Sequence, residues 1–153
     1  MSGNKNFVLD TMKNYGKMVA TDLQNKASDM TGEQLYDETK FIPKFTIACE
    51  KKNMLERPIG FVCCSSAGRV VKLLQPYDST IYTQEPEELP AQWGFVWSNN
   101  PKHALEYVAI STSPFMKGNC CIDDGEVYRS TMDNNVWRPK DYPQGWEKVE
   151  VTE

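Results

Sequence analysis

The sequence predicts an α+β fold in which an N-terminal helical stem precedes two small antiparallel β modules. Three observations predict it. Apolar residues recur at helical spacing over the first thirty positions, short β-type runs bounded by turn residues fill the remainder, and two of those runs share one frame. The frame is C-C-x-x-x-G-x-V-x-[K/R], seen as CCSSAGRVVK at Cys63–Lys72 and as CCIDDGEVYR at Cys120–Arg129. We expect residues 1–40 to form the stem, 41–104 a first β module and 105–153 a second, related by internal duplication.

The stem is read from Val8, Met12, Tyr15, Val19, Leu23, Ala27 and Met30, which lie three or four positions apart. That spacing matches a helix of 3.6 residues per turn and not the period of two that a strand shows. Lys5, Asp10, Lys13, Lys17, Asp22 and Lys26 fall on the other side. The apolar stripe is narrow, nearer to a coiled-coil seam than to a broad core-facing surface. Val8, Met12, Tyr15, Val19 and Leu23 are therefore the expected self-association residues, with packing of the helix on its own domain as the alternative. Thr31-Gly-Glu-Gln34 has the form of a capping box and should start a short second helix through about Thr39. Pro43 ends it, because the residue before a proline is pushed out of the helical region.

Beyond Pro43 the pattern is β. Lys44–Cys49 alternates weakly. Ile59–Cys64 and Arg69–Gln75 form a hairpin around Ser65–Gly68, with Gly68 free to take a positive φ. Pro76–Pro90 holds three prolines and reads as an extended surface arm. Gln92–Trp97 is an aromatic strand with Trp93, Phe95 and Trp97 on one face, and Leu105–Ser111 alternates as another. Asn119–Ile122 and Glu126–Thr131 flank Asp124-Gly125, a strong hairpin signal. Asp133-Asn134-Asn135 turns the chain, Pro139 and Pro143 stiffen a second arm, and Trp146–Val151 closes as a strand. Under the shared frame Gly60 and Gly118 fall one residue out of register.

Charge and composition exclude several functions. The net charge is −4 and the 17 basic residues are scattered, which argues against nucleic-acid binding, where clustered Lys and Arg must meet phosphates. Met1 is followed by no apolar signal segment, and no apolar run is long enough to insert in a membrane, so synthesis and folding in a cytoplasm are expected. The five cysteines then read as thiols. Neighbouring residues of a strand point to opposite faces, so Cys63-Cys64 and Cys120-Cys121 do not converge as zinc ligands, and no metal or cofactor is expected. With one histidine, no nucleophile motif and no phosphate-binding glycine pattern, the chain reads as a non-enzyme.

The run Lys117-Gly118, Gly125-Glu-Val-Tyr128-Arg-Ser, Asp133-Asn-Asn-Val-Trp137, Pro139 and Tyr142-Pro-x-Gly-Trp146-Glu carries a resemblance to a known family. It resembles the small carbohydrate-binding domain of chitinases (carbohydrate-binding module families 5 and 12). It is most similar to the form appended to tail-fibre, baseplate and head-fibre accessory proteins of bacteriophages. The resemblance covers about the last 35 residues well, 58–97 loosely and the first 40 not at all. It implies a three-stranded antiparallel sheet with an aromatic platform for sugar rings, although the adjacent aromatic pair of the chitinase domains is missing. Trp137 and Tyr142 are the nearest candidates for that platform. Asp133, Asn134, Asn135 and Tyr128 beside them supply the polar and aromatic groups that a sugar contact needs. By the same resemblance the chain is expected to be a virion accessory protein made in the host bacterial cytoplasm. It would form a homo-oligomer, a trimer by analogy with displayed fibres, and contact other virion proteins or a cell-surface polysaccharide. A chitin-targeting module associated with a hydrolase is the alternative.

Overall fold

A computed structural model describes residues 18–151. They form a helix over residues 18–26 (α1), then α2 (Gly32–Asp37) and α3 (Phe45–Lys51). Six strands follow: β1 (Val62–Cys64), β2 (Val70–Leu73), β3 (Trp93–Phe95), β4 (Cys120–Asp123), β5 (Glu126–Ser130) and β6 (Trp146–Val149). β1-β2-β3 and β4-β5-β6 are two separate antiparallel meanders, so the α+β class expected from sequence is the observed one.

α2 begins where the capping box places it. The Thr31 hydroxyl accepts from the Gln34 N–H at 3.2 Å, and the Gln34 side-chain oxygen accepts from the Thr31 N–H at 2.9 Å. Two orphan donors at the helix start are thereby satisfied. Position 32 admits only glycine, because a Cβ there would collide with the Trp97 carbonyl.

The first sheet is buried on both faces. Cys63, Val71 and Leu73 face a core with Phe45, Phe61 and Trp93, while Val62, Cys64 and Val70 face a second core beneath Leu23, Ala27, Leu35 and Tyr36. α1 also closes the free edge of β1. The Gln24 amide donates to the Val62 carbonyl at 2.7 Å and accepts from the Val62 N–H at 2.9 Å, standing in for a neighbouring strand. Residues 18–40, expected as a separate stem, thus pack on the first sheet. Leu23, expected at a self-association seam, is 5% exposed within this chain's own core, and Val19 is half-buried. Val8, Met12 and Tyr15 lie outside the described residues.

Two expected strands take other forms. Lys44–Cys49 is not a strand: α3 covers it, with Phe45 and Ala48 buried one turn apart and Thr46 and Ile47 outward. Its weak alternation lost to the burial that a helical turn gives Phe45 against Trp93. Leu105–Ser111 is extended but makes only one parallel bridge, Glu106 to Ile122. Its side chains are shared out, with Leu105 packed on one core of the first unit and Val108 and Ile110 on the other.

The two meanders are copies in hydrogen-bonding register. Cys63 lies opposite Val71 as Cys121 lies opposite Tyr128, and Leu73 lies opposite Trp93 as Ser130 lies opposite Trp146. The Gly60 N–H donates to Leu73 at 2.7 Å and the Gly118 N–H to Ser130 at 2.8 Å, each glycine with φ near +95° (92° and 97°). Upstream, Cys64 donates to the Pro43 carbonyl at 2.9 Å and Ile122 to the Leu105 carbonyl at 2.8 Å, each beside a parallel bridge. The ring that follows meets the tryptophan edge-on in both. Phe45 and Trp93 sit at 5.8 Å and 88°, Tyr107 and Trp146 at 6.5 Å and 89°.

The register also corrects the sequence alignment. The first hairpin turns through Ser66-Ala67-Gly68 between the bonded Ser65 and Arg69, the second through Asp124-Gly125 alone, both at positive φ. With one residue fewer in the second turn, Cys121 matches Cys63, not Cys64, and Gly118 falls level with Gly60.

Candidate functional site

The arm between β5 and β6 positions the aromatic candidates. It starts on the core of the second unit, where Phe115, Cys121 and Trp146 are buried and Trp97 stacks on Phe115 at 4.2 Å and 14°. Asn135 and Phe115 bond each other's backbone at 2.8 and 3.0 Å, bringing the turn down onto this core. Asn135 itself is fully buried. Its side-chain NH₂ donates to the Ser130 hydroxyl at 3.0 Å and the Gly145 carbonyl at 2.9 Å, and its side-chain oxygen accepts from the Trp137 N–H at 3.2 Å. Asn135, expected as a ligand contact, is therefore the bracket of the arm. Every polar group it has is used inside.

Asp133 and Asn134 are exposed but engaged in the turn. Asp133 accepts from the Lys117 N–H at 3.0 Å, and Asn134 sits at φ 55°, a conformation asparagine tolerates better than most residues. Tyr128 is half-buried against the core of the second unit, and its hydroxyl donates to Glu126 at 3.3 Å.

Trp137 and Tyr142 come together on the surface. Their rings are 5.3 Å apart between centroids at 51°, with Trp137 48% and Tyr142 36% exposed. The Trp137 carbonyl accepts from the Trp146 indole N–H at 2.9 Å, which ties the exposed ring's backbone to the core. Tyr142 lies over Gly145, where a Cβ would come within 2.9 Å of its ring. The sequence separates the pair by four residues, and a turn in which the Asp141 and Tyr142 N–H groups both donate to the Arg138 carbonyl at 2.9 Å closes the distance.

Beside the pair runs an open groove of about 770 Å³, whose walls include Glu106, Tyr107, Asp123, Trp137, Arg138 and Asp141. Asp123 anchors the arm to the hairpin. Its oxygens accept from Arg138 at 2.8 and 2.9 Å and from the Lys140 N–H at 3.1 Å. The Arg138 hydrogen bond holds the Asp123 carboxyl below the usual carboxylate range, and the same contact raises Arg138. The Tyr107 hydroxyl donates to the Val136 carbonyl at 2.6 Å, and burial pushes its pKa up.

Asp123, Arg138, Asp141 and Tyr107 were not singled out from sequence. Strand alternation puts Asp123 on the inward face with Cys121, and that signal was readable although it looks like part of a solvated hairpin tip. The pairing of Arg138 with it was not.

The first unit has a groove of about 710 Å³ at the equivalent position, bounded by Lys44–Ile47 and Cys64–Ser66 where the second has Glu106–Ala109 with Asp123 and Asp124. Its walls carry Lys40 and Lys44 and no arm aromatic. The two copies thus share a scaffold and differ in surface chemistry.

His103 pairs with Asp37 at 3.0 Å and stacks on Tyr36 at 6.0 Å, away from either groove. Among the described residues no group of His, Cys, Asp and Glu is placed to hold a metal ion, and no helix is long and apolar enough to cross a membrane. Comparisons with protein-family models, curated proteins and solved structures each return no match.

Proposed function

We propose that this chain is a non-enzymatic binding and assembly protein of a bacteriophage particle, a fibre, tail or capsid decoration. Its second β unit would present Trp137 and Tyr142 to a host-surface glycan. The observation that carries the reading is the exposed Trp137–Tyr142 pair, with Trp137 on the wall of a groove that Arg138 and Asp141 also line. Exposed aromatic faces cost solvation when they meet only water, and they suit the C–H face of a pyranose. Arg138 and Asp141 stand beside them to hydrogen-bond ring hydroxyls, whereas the oxygens of Asp123 are already committed. The resemblance of residues 117–147 to phage-borne carbohydrate modules supports the virion setting, and display on a homo-oligomer, a trimer by analogy, would multiply weak single-site contacts.

Retention of the full chain on insoluble polysaccharides and binding across a glycan array test the reading. Trp137→Ala should release the bound chain while leaving its far-ultraviolet circular dichroism unchanged. A wild-type chain that binds no glycan on the array would overturn the adhesion role.

A further inference from the structure

In the second unit Glu106, Asp123, Asp124 and Asp141 line the groove, with Arg138 as its one cation. The groove of the first unit carries Lys40 and Lys44 and no carboxylate on its walls. The contrast runs position by position. The bridge of Lys44 to Cys64 stands where the second unit pairs Glu106 with Ile122, so an ammonium occupies the place of a carboxylate. Ser65 and Ser66 then stand where the second unit has Asp123 and Asp124.

The groups that line the first groove are also uncommitted. Asp123 is held by Arg138 and the Lys140 N–H. Ser65 is equally buried, at 4% exposure, but its hydroxyl oxygen only accepts, from the Arg69 N–H at 3.2 Å. Its own proton has no acceptor among the described residues, a rare state for a buried hydroxyl. Neither Lys40 nor Lys44 has a carboxylate partner among the described residues. Lys40 Nζ stands over the Phe41 ring at 5.0 Å, a contact that steadies the ammonium. Glu85 reaches the same turn, but both its oxygens are held by Ser66, through the N–H at 2.9 Å and the hydroxyl at 3.0 Å, and it is not on the groove's walls. In a chain of net charge −4, this groove runs against the electrostatic background.

We propose that the groove of the first unit is a second binding site and that it takes an acidic saccharide, a sugar bearing a carboxylate, phosphate or sulfate. Lys40 and Lys44 meet the anionic group, and the Ser65 hydroxyl donates to one of its oxygens. Thr39 and Thr46 offer hydroxyls to the ring, and Ile47, 43% exposed, offers an apolar edge to its C–H groups. The volume of about 710 Å³ suits a ligand of a few rings. A nucleic acid fits less well. Two ammoniums are few against a polyphosphate that the net charge repels, and Phe45, the one ring on the wall, is buried and unable to stack on a base. The site is separate from Trp137 and Tyr142 and stands whether or not they bind a sugar.

Calorimetric titration of the full chain with tetragalacturonate, a sulfated dextran oligomer and a phosphorylated mannan oligomer tests it. At least one should bind, and neutral dextran and inorganic phosphate should bind about tenfold more weakly or not at all. Lys40→Ala combined with Lys44→Ala should weaken the binding about tenfold or more, with unchanged circular dichroism. Lys51→Gln combined with Lys52→Gln removes equal charge at the C-terminal end of α3 and should leave it unchanged. The proposal is overturned if none of the three acidic saccharides binds, or if both pairs of substitutions weaken binding alike. It is equally overturned if neutral dextran, inorganic phosphate or a thymidine oligonucleotide binds as tightly as the acidic saccharides.

Discussion

Trp93 opens β3 opposite Leu73 and Trp146 opens β6 opposite Ser130, and each indole N–H is answered by the arm that leads into its own strand. Trp93 donates to the Tyr77 hydroxyl at 3.0 Å and Trp146 to the Trp137 carbonyl at 2.9 Å. In the first unit that bond is sealed inside, with Trp93 fully buried and Tyr77 6% exposed. In the second it runs from core to surface and fixes the residue that the groove displays. Trp146→Phe should lose the bond and leave a small void in the core, weakening the fold by about 2–3 kcal/mol and loosening Trp137. Glycan retention should fall with it. Trp93→Phe should cost more stability and leave retention unchanged, and urea unfolding beside a retention assay separates the two effects.

Asn135→Ala should be among the most damaging single changes in the second unit. It removes three hydrogen bonds at once, each worth about 0.5–1.5 kcal/mol: the Trp137 N–H loses its partner, while the Ser130 hydroxyl keeps only Met132 and the Gly145 carbonyl only the Thr131 N–H. Amide exchange should quicken across residues 131–145 while the first sheet keeps its protection. Unaltered exchange in the arm would show that Asn135 is not its bracket.

The pH dependence of the second unit should follow Asp123. Arg138 lowers its folded pKa, so the contribution is complete above the ordinary carboxylate value of about 4 and is lost as pH falls through the lower folded value. Arg138→Gln removes the partner. Wild type should be the more stable at neutral pH, and the two stability curves should converge at acid pH. Parallel curves down to the lowest pH measured would rule out the pair as the acid-labile element.

The parts of this fold that were legible in the sequence were those decided locally. The Thr31 capping box, the Asp124-Gly125 turn and the tryptophans that follow each arm are set by neighbours three or four positions away, and all stand where the residues place them. The parts that were not legible were decided by distant partners. α3 is a helix because Phe45 must meet Trp93, and Leu105–Ile110 is shared between cores because both units need it. Leu23 turned inward because the first sheet buries both its faces, which no stripe on a helix can announce. At the candidate site Trp137 and Tyr142 were named only through the family resemblance, and their contact and exposure came from the fold, whereas Asn135 looked like any turn asparagine until its three bonds appeared.

Thiol reactivity should separate Cys49 from the other four cysteines. Cys63, Cys64, Cys120 and Cys121 are buried and Cys49 is half-buried. Burial raises all five, Cys64 to about 11, so little thiolate exists near neutral pH. A disulfide reagent should modify Cys49 first and slowly, and the rest only with denaturant. Rapid native modification of more than one thiol would contradict the burial of the Cys-Cys pairs.

Gly60 and Gly118 offer a matched test of the duplication, because they occupy one position in two copies and differ in surroundings. Both hold φ above 90°, where a side chain is strained by about 1–2 kcal/mol. A Cβ on Gly60 meets nothing within 4 Å, whereas one on Gly118 would come within 3.2 Å of both polar atoms of the Asn99 amide. That amide accepts from the Asn119 side chain at 2.8 Å, a bond that the added methyl would displace. Gly60→Ala should therefore show the backbone strain alone, and Gly118→Ala the same strain plus roughly 1 kcal/mol for the lost hydrogen bond. Asn99→Ala should shrink the difference between them, since it removes the obstacle and the bond together. Urea unfolding of the four chains reads this directly, and equal losses at the two glycines would mean that Asn99 yields freely and adds nothing to the turn.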